Sequence, residues 1–337
     1  VMIRFWIDSF RTGRASHRLR IDLPLQGLID RGIDCTKVHR KIVYDVNKQG
    51  VTSMTDAINP QHDIIIINKE MKPEIFDQHI KPFQKLNVPV GMDLCDNKFD
   101  VRDGNNSLTQ LVPQMDFMTA NNETMQKVIK QRFPNKPVYW YTDPCEREFE
   151  PAKSFAGGTL KFCWYGSISS LKYFDYRRCV RKLHTLHVPW RLDMMSGQIE
   201  RRMKVIHPNI YLHDWTYEAQ GKMVRESDIV LMPIGHLQPG DQRYERVRTK
   251  SHNRLVDAIA QGRWVITSPM PQYIPLQNYS WQGPLLKGVS YYLENKKEVK
   301  NKITQGQAWI KKRATDKTAA KQLIRIYEDI KGITITP

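Results

Sequence analysis

The chain has few cysteines and none arranged for a shared task. Cys35, Cys95, Cys145, Cys163 and Cys179 are odd in number, widely spread and without a C-x-x-C pair, which argues for reduced thiols over a disulfide framework or a zinc site. No metal site is expected. A G-x-G-x-x-G loop is also missing. That argues against a nicotinamide dinucleotide, because close approach of backbone to a pyrophosphate in that fold normally needs those glycines. The longest apolar runs, such as Ile64 to Ile67 and Ile229 to Ile234, fall far short of the ~20 residues of a membrane-spanning helix. The N-terminus lacks the long apolar core of a signal peptide. A cytoplasmic chain, soluble or peripheral at a membrane, is expected.

Acidic residues are scarce relative to basic ones. Lys plus Arg is 52 against 35 Asp plus Glu, a formal charge of +17, which attracts polyanions: nucleotide phosphates, nucleic acid or an anionic membrane surface. The length of 337 residues suggests two domains, each able to bury its own core. Apolar β-rich runs alternate with helical stretches. Ile3 to Ile7, Asp63 to Asn68 and Val88 to Asp93 read as buried strands, with a helix over about Pro73 to Leu86 between the last two. A second series opens at Leu160 to Tyr165 and includes Asp228 to Pro233, after a proline- and glycine-bearing linker at Pro151 to Gly158. Such alternation implies α/β domains with parallel sheets, whose ligands sit at the strand C-terminal ends. The expected division is residues 1–150 and 159–337.

Several candidate ligand residues fall at such ends. Lys250 to Tyr273 reads as a helix followed by a buried strand, with Gly262 closing the helix. On that reading Lys250 and Arg254 share a face near the helix start, a place for a diphosphate, and Asp257 lies within a turn of them to accept hydrogen bonds from sugar hydroxyls. A plain amphipathic helix with a solvated charged face explains the same spacing. Gly166, Ser167 and Lys172 follow a strand in a turn that lets backbone approach a ligand, donates a hydrogen bond and neutralises phosphate. Asp93 and Asp96 end another strand, either as reacting carboxylates or as an Asx-turn bonding local amides. Arg11, Arg14, Arg18 and Arg20 form one basic cluster. Arg243, Arg246 and Arg248 form another in the segment His236 to Thr249, which reads as a long loop because of Pro239 and Gly240.

The run Asp257-Ala-Ile-Ala-Gln-Gly262 followed by Val265-Ile-Thr-Ser268 resembles the donor-binding helix and strand of group 1 glycosyltransferases with the GT-B fold, which commonly read E-A-x-A-x-G-x-P-V-I-x-S. Asp257 stands where that family has the second acid of its E-x7-E motif, which holds the nucleotide ribose. The first acid is replaced by Thr249. Ser16-x-Arg18-x-Arg20 resembles the start of the family's first helix, and the stretch GMDLCDNKFD from Gly91 to Asp100 resembles its V-x-D-x-x-D-x-x-F element. Lys172 takes the position of the lysine after the glycine turn, with Tyr173 in place of the usual glycine.

The resemblance implies two Rossmann-like domains facing across a cleft, the last helix returning to the first domain. It implies transfer from a nucleoside-diphosphate sugar, such as a UDP-sugar, to a hydroxyl of a glycan or lipid-linked acceptor. Asp93 or Asp96 would act at the acceptor or reacting carbon, and Gly166, Ser167, Lys172, Lys250, Arg254 and Asp257 would bind the donor. Trp215 or its neighbours would meet the nucleobase. Arg14, Arg18, Arg243 and Arg246 would meet a polyanionic acceptor. No D-x-D motif occurs, so a metal-independent reaction without a further cofactor is expected. Two other readings stay open: a phage-type enzyme that glycosylates a hydroxylated base in duplex DNA, and a non-enzymatic nucleic-acid-binding protein. An oxidoreductase or epimerase would need the glycine-rich loop that Arg11 to Ser16 does not supply.

Overall fold

The computed structural model describes residues 2–7, 15–39, 58–68, 72–99, 107–174, 176–199, 207–232 and 239–335. They form two compact units, one of residues 1–146, 240–251 and 313–337, the other of residues 147–239 and 252–312. The division differs from 1–150 and 159–337 at two places, one of which, the return of the last helix to the first unit, is what the resemblance implies. Residues 240–251 and the chain from Arg313 onward belong with the first unit, so each unit is built from separate stretches of chain.

The first unit holds a six-stranded parallel sheet of β1 (Met2–Ile7), β2 (Asp34–His39), β3 (Asp63–Asn68), β4 (Val90–Leu94), β5 (Phe117–Ala120) and β6 (Val138–Trp140), in the order β2-β1-β3-β4-β5-β6. The unbroken β-branched run of β3 is explained by burial on both sides. Ile64 and Ile66 enter one core with Ile3, Phe5, Phe117 and the C-terminal helix Asp316–Lys331. Ile65 and Ile67 enter the other with Val90, Met92 and Met118, as period-two alternation dictates. The C-terminal helix contributes Ala319, Ala320, Leu323 and Tyr327 to this packing. Its first turn is capped by the Thr315 side chain, and it stops at Gly332 in the left-handed region.

The second unit repeats the plan with β7 (Leu160–Tyr165), β8 (Trp190–Ser196), β9 (Ile210–Asp214), β10 (Ile229–Met232), β11 (Trp264–Thr267) and β12 (Trp281–Gln282), in the order β12-β11-β10-β7-β8-β9 and again parallel. Leu160, Phe162 and Trp164 from β7 pack with Leu192 and Met194 from β8. The helix Asn253–Ala260 runs into β11 through Gly262, at φ 70°. A side chain there is doubly unfavourable, because a Cβ would stand 2.2 Å from the Pro151 carbonyl oxygen.

Two expectations about local structure change. The segment after Gly240 is not a loop throughout: Gln242–Val247 is helical, since the glycine and proline that suggested irregularity lie just ahead of it. The helix carrying Arg254 begins at Asn253, so Lys250 precedes it and the four-residue spacing does not put the two cations on one helix face. Among the described residues no helix is long and apolar enough to cross a membrane.

The ligand end of the first sheet is tied by one buried arginine. Arg20 is 1% exposed, and its Nε and Nη2 donate to the two oxygens of Asp93 at 3.0 and 2.6 Å. Nη1 donates to Tyr141 O at 2.7 Å and Asp143 Oδ1 at 3.0 Å, while Nη2 also reaches Ala120 O at 3.1 Å. Burial opposes the charge, but Asp93 first, then Tyr141 and Asp143, outweigh it and hold the guanidinium's pKa above its ordinary value. Breaking a buried pair from one side leaves the other charge uncompensated, at about 3–5 kcal/mol. Asp93→Asn is therefore expected to lower the unfolding free energy by an amount in that range, read as a lower urea midpoint at unchanged slope; an unchanged midpoint would show that Arg20 does not depend on this carboxylate.

Candidate functional site

In the second sheet the strand order reverses between β7 and β10, and ligands of doubly wound sheets sit outside the strand ends at such a switch point. Tyr165 ends β7 and Gly166 follows it. Arg254, near the start of the helix Asn253–Ala260, sends Nη1 to Tyr165 O at 2.7 Å, and the Tyr165 hydroxyl donates back to Arg254 O at 3.1 Å. This reciprocal pair fixes the guanidinium against the glycine. A Cβ at Gly166 would lie 2.9 Å from Arg254 Nη1, so glycine is what lets the arginine lie there. The remaining Arg254 donors have no partner among the described residues. Sequence reasoning named Gly166 and Arg254 but not Tyr165, whose signal is only an aromatic at the last position of a strand.

The other expected donor residues divide. Ser167 is exposed and shares a hydrogen bond with Ser170 at 2.8 Å. Lys172 lies in the short helix Ile168–Tyr173, its side chain outside the described residues. Asp257 faces inward at 1% exposure, close enough that, after burial itself, its charge is the next cause raising the Tyr165 pKa. Its carboxylate thus stands behind the Tyr165–Arg254 pair. Trp215 donates from Nε1 to Gln220 Oε1 at 2.9 Å, just past the end of β9.

In the first unit, the strand ends carry a second group of residues. Asp93 is fully buried, and besides Arg20 it accepts from Thr119 Oγ1 at 2.7 Å. These bonds give it structural work and leave it away from solvent. Asp96, two residues past β4, is half-buried, and no hydrogen bond or ion pair engages its carboxylate among the described residues. The Asx-turn belongs to Asn97, whose Oδ1 accepts from Phe99 N at 3.2 Å. Arg18 is paired with Glu146 at 2.6 Å. Arg14 lies outside the described residues, as does the side chain of Arg243.

The segment 240–251 is fastened over the ends of β4 and β5 by asparagines. Asn97 Nδ2 donates to Glu245 O at 3.5 Å, and Asn122 Nδ2 donates to Thr249 O at 3.0 Å and Lys250 O at 3.3 Å. Asn121 Nδ2 donates to Cys95 O at 3.3 Å and Thr249 O at 3.4 Å. Arg248 pairs with Glu245 at 2.5 Å, whereas the Nε of Arg246 is enclosed without a partner.

No protein-family model matches the sequence, and no curated protein resembles it in sequence. Solved structures do match. A glycosyltransferase from Rickettsia africae is 11% identical with a TM-score of 0.63, over 98% of both chains. An alpha,alpha-trehalose-phosphate synthase (UDP-forming) from Burkholderia vietnamiensis is 10% identical with a TM-score of 0.58, over 97% of this chain and 98% of that one. TarM is 12% identical with a TM-score of 0.58, over 85% of this chain; the chain spans only 57% of TarM.

One histidine beside Arg254 has a pH consequence. His252 precedes the helix Asn253–Ala260, lies edge-on to Trp309 with centroids 6.5 Å apart, and has its Nε2 enclosed without a partner. Burial lowers its pKa from 6.5 to about 4. Between those values the unfolded chain binds more protons than the native one, so stability rises with pH and is lost on acidification from 6.5 towards 4, by up to about 3 kcal/mol. Thermal unfolding followed from pH 7 to 4.5 is expected to show His252→Asn losing less stability than the wild type; parallel curves would refute the assignment. Two parallel six-stranded sheets, matched over nearly their whole length by these structures, give the chain the GT-B fold.

Proposed function

We propose that the chain is a glycosyltransferase that moves a sugar from a nucleoside-diphosphate sugar to a hydroxyl of a glycan or lipid-linked acceptor. The observation that carries this reading is Arg254 held against Gly166 at the switch point of the second sheet, with donors to spare. As the anomeric bond breaks, negative charge develops on the leaving diphosphate, and a fixed guanidinium stabilises it without reorganising. Lys172 is the other cation proposed for the diphosphate, with Ser167 beside it in the same turn. The sequence has no D-x-D, and these cations supply the charge that a divalent ion would otherwise provide. A UDP-sugar is the donor we favour, on the fold shared with a UDP-forming synthase.

On the acceptor side, Asp96 is the carboxylate proposed to take the proton of the acceptor hydroxyl, because Asp93 is bound on both oxygens. The excess of positive charge, +17, suits an acceptor that is polyanionic or presented on an anionic surface. Hydroxymethylated duplex DNA is the alternative acceptor, and labelled-sugar incorporation into it would replace the glycan or lipid reading.

Thermal shift against nucleoside diphosphates and nucleotide sugars is the direct test, since a ligand of the native state raises the melting temperature by mass action. A UDP-sugar is expected to do so and single nucleotides of other bases to do so less. Arg254→Ala is expected to remove about 2 kcal/mol of transition-state stabilisation, a fall of about 30-fold in transfer. Asp96→Asn is expected to slow turnover by ~10²-fold or more with nucleotide affinity intact. Wild-type transfer in a folded Arg254→Ala protein would contradict the donor assignment, and loss of nucleotide affinity in Asp96→Asn would move Asp96 to the donor subsite.

A further inference from the structure

The positive charge of the second unit is unevenly placed. The helix Tyr217–Glu226 balances Lys222 and Arg225 against Glu218 and Glu226, with Lys222 and Glu226 paired at 3.8 Å. Three other helices, Tyr176–Leu183, Leu285–Glu294 and Lys296–Arg313, share one core against the sheet, where Leu183, Val289, Val299 and Ile303 pack with Phe162 and Trp164 of β7. The cations gather on this layer. Tyr176–Leu183 carries Arg177, Arg178, Arg181 and Lys182 and no acid. Lys296–Arg313 reads KKEVKNKITQGQAWIKKR, with Glu298 as its sole acid.

Burial sorts Lys296–Arg313 into two faces. Val299, Ile303, Gly306 and Ile310, spaced by four, three and four residues, face the core. Lys296, Lys297, Lys300, Lys311 and Lys312 are all exposed, and Asn301, Thr304, Gln305 and Ala308 between them are exposed too. Glu298 is answered by Lys302, four residues on, at 3.3 Å. Lys296 and Lys300 stand four residues apart and Lys297 and Lys300 three, spacings at which like charges destabilise a helix. A phenyl ring backs the lysines at each end: Lys296 Nζ lies 5.9 Å from the centroid of Phe155, and Lys311 Nζ lies 4.7 Å from that of Phe149, which is 37% exposed. From Lys296 to Lys312 the face runs ~24 Å along the helix, too long for one small anion. The partner is therefore extended and anionic. Nucleic-acid recognition draws on arginine forks and on open ring faces where bases stack. Here the face holds lysines, and an ammonium group stands over each ring. Lysines with phenyl rings at their base fit a lipid headgroup layer, where the ring meets the acyl boundary and the ammonium meets phosphate.

We infer that the lysine face of the helix Lys296–Arg313, with Phe149, is the surface by which the chain adsorbs on an anionic lipid bilayer. The helix keeps its apolar face in the core, so adsorption is electrostatic, reversible and loosened by salt. The inference deepens the glycosyltransferase reading, on which its meaning rests, by placing a lipid-linked acceptor at that bilayer. The adsorption itself does not require that reading.

Co-sedimentation of the full chain with vesicles of phosphatidylcholine alone, and of phosphatidylcholine mixed with phosphatidylglycerol, tests it at fixed ionic strength. The anionic vesicles are expected to be bound ~30-fold or more tightly than the neutral ones. A lysine near such a surface is worth roughly fivefold, so the joint change Lys296→Gln, Lys297→Gln and Lys300→Gln is expected to weaken that binding ~100-fold. The joint change Lys85→Gln, Lys127→Gln and Lys130→Gln removes the same charge from exposed lysines of the first unit, and is expected to weaken it ~3-fold or less. Phe149→Ser is expected to weaken vesicle binding ~3-fold or more and to leave binding to duplex DNA unchanged. The first triple variant relieves repulsion on its helix, so its unfolding midpoint is expected to be no lower than that of the wild type. Equal binding to the two kinds of vesicle, equal losses in the two triple variants, or a loss in the first that is as large for duplex DNA as for vesicles would overturn the inference. Thermal shift with UDP keeps the readings apart: no response in the wild type rejects the donor reading while the vesicle result stands, and a response with no preference for anionic vesicles rejects only the adsorbing surface.

Discussion

The ligand end of the first unit depends on the buried guanidinium of Arg20. Parallel strands end with carbonyls that their own sheet leaves unpaired, and loops leaving them have no regular ladder to fix their course. Arg20 answers this at three neighbouring strands at once, holding Asp93 on β4, the carbonyl of Ala120 at the end of β5, and Tyr141 O and Asp143 just beyond β6. The Tyr141 ring lies 3.3 Å beneath the guanidinium carbon, and its hydroxyl donates back to Arg20 O at 3.0 Å. With those ends fixed, Asn97, Asn121 and Asn122 stand where they can hold the segment 240–251. Asp96, the carboxylate proposed for the acceptor side, thus lies two residues past a strand that Arg20 holds.

Arg254 uses the same chemistry to the opposite end. It too binds the carbonyl of a residue at a strand terminus and is pinned by a tyrosine, Tyr165. Arg20 has five bonds and no exposure worth the name, whereas Arg254 spends one donor and keeps the rest. The difference separates a charge that builds structure from the one proposed to meet the donor. A net charge of +17 says little until it is sorted this way.

Much of the fold was legible in the sequence. The run of four isoleucines in β3 can only be buried on both faces, and strand alternation with helices forces a parallel sheet with ligands at its C-terminal end. Gly166 and Gly262 were readable because glycine at a strand end or helix end has few other causes. Sequence could not say which carboxylate of Asp93 and Asp96 was free, because that depends on Arg20, 73 residues away from Asp93 in the chain. Nor did it place the start of the helix that carries Arg254, which begins at Asn253, after Lys250. The return of residues 240–251 to the first unit has no local signal, since those contacts are entirely long-range.

The position that departs from the resembling family illustrates the same point. Thr249 stands where those enzymes carry the first acid of E-x7-E, and here it is fully buried, its hydroxyl bonded to Arg246 O and its carbonyl held by two asparagines. A carboxylate in that place would be a buried charge, costly without a dedicated partner, so the substitution is consistent with its surroundings. The backbone at Thr249 is a fastening point instead. With the acid goes a group that would accept hydrogen bonds from sugar hydroxyls, and Thr249, buried and bonded within its own segment, supplies none in its place.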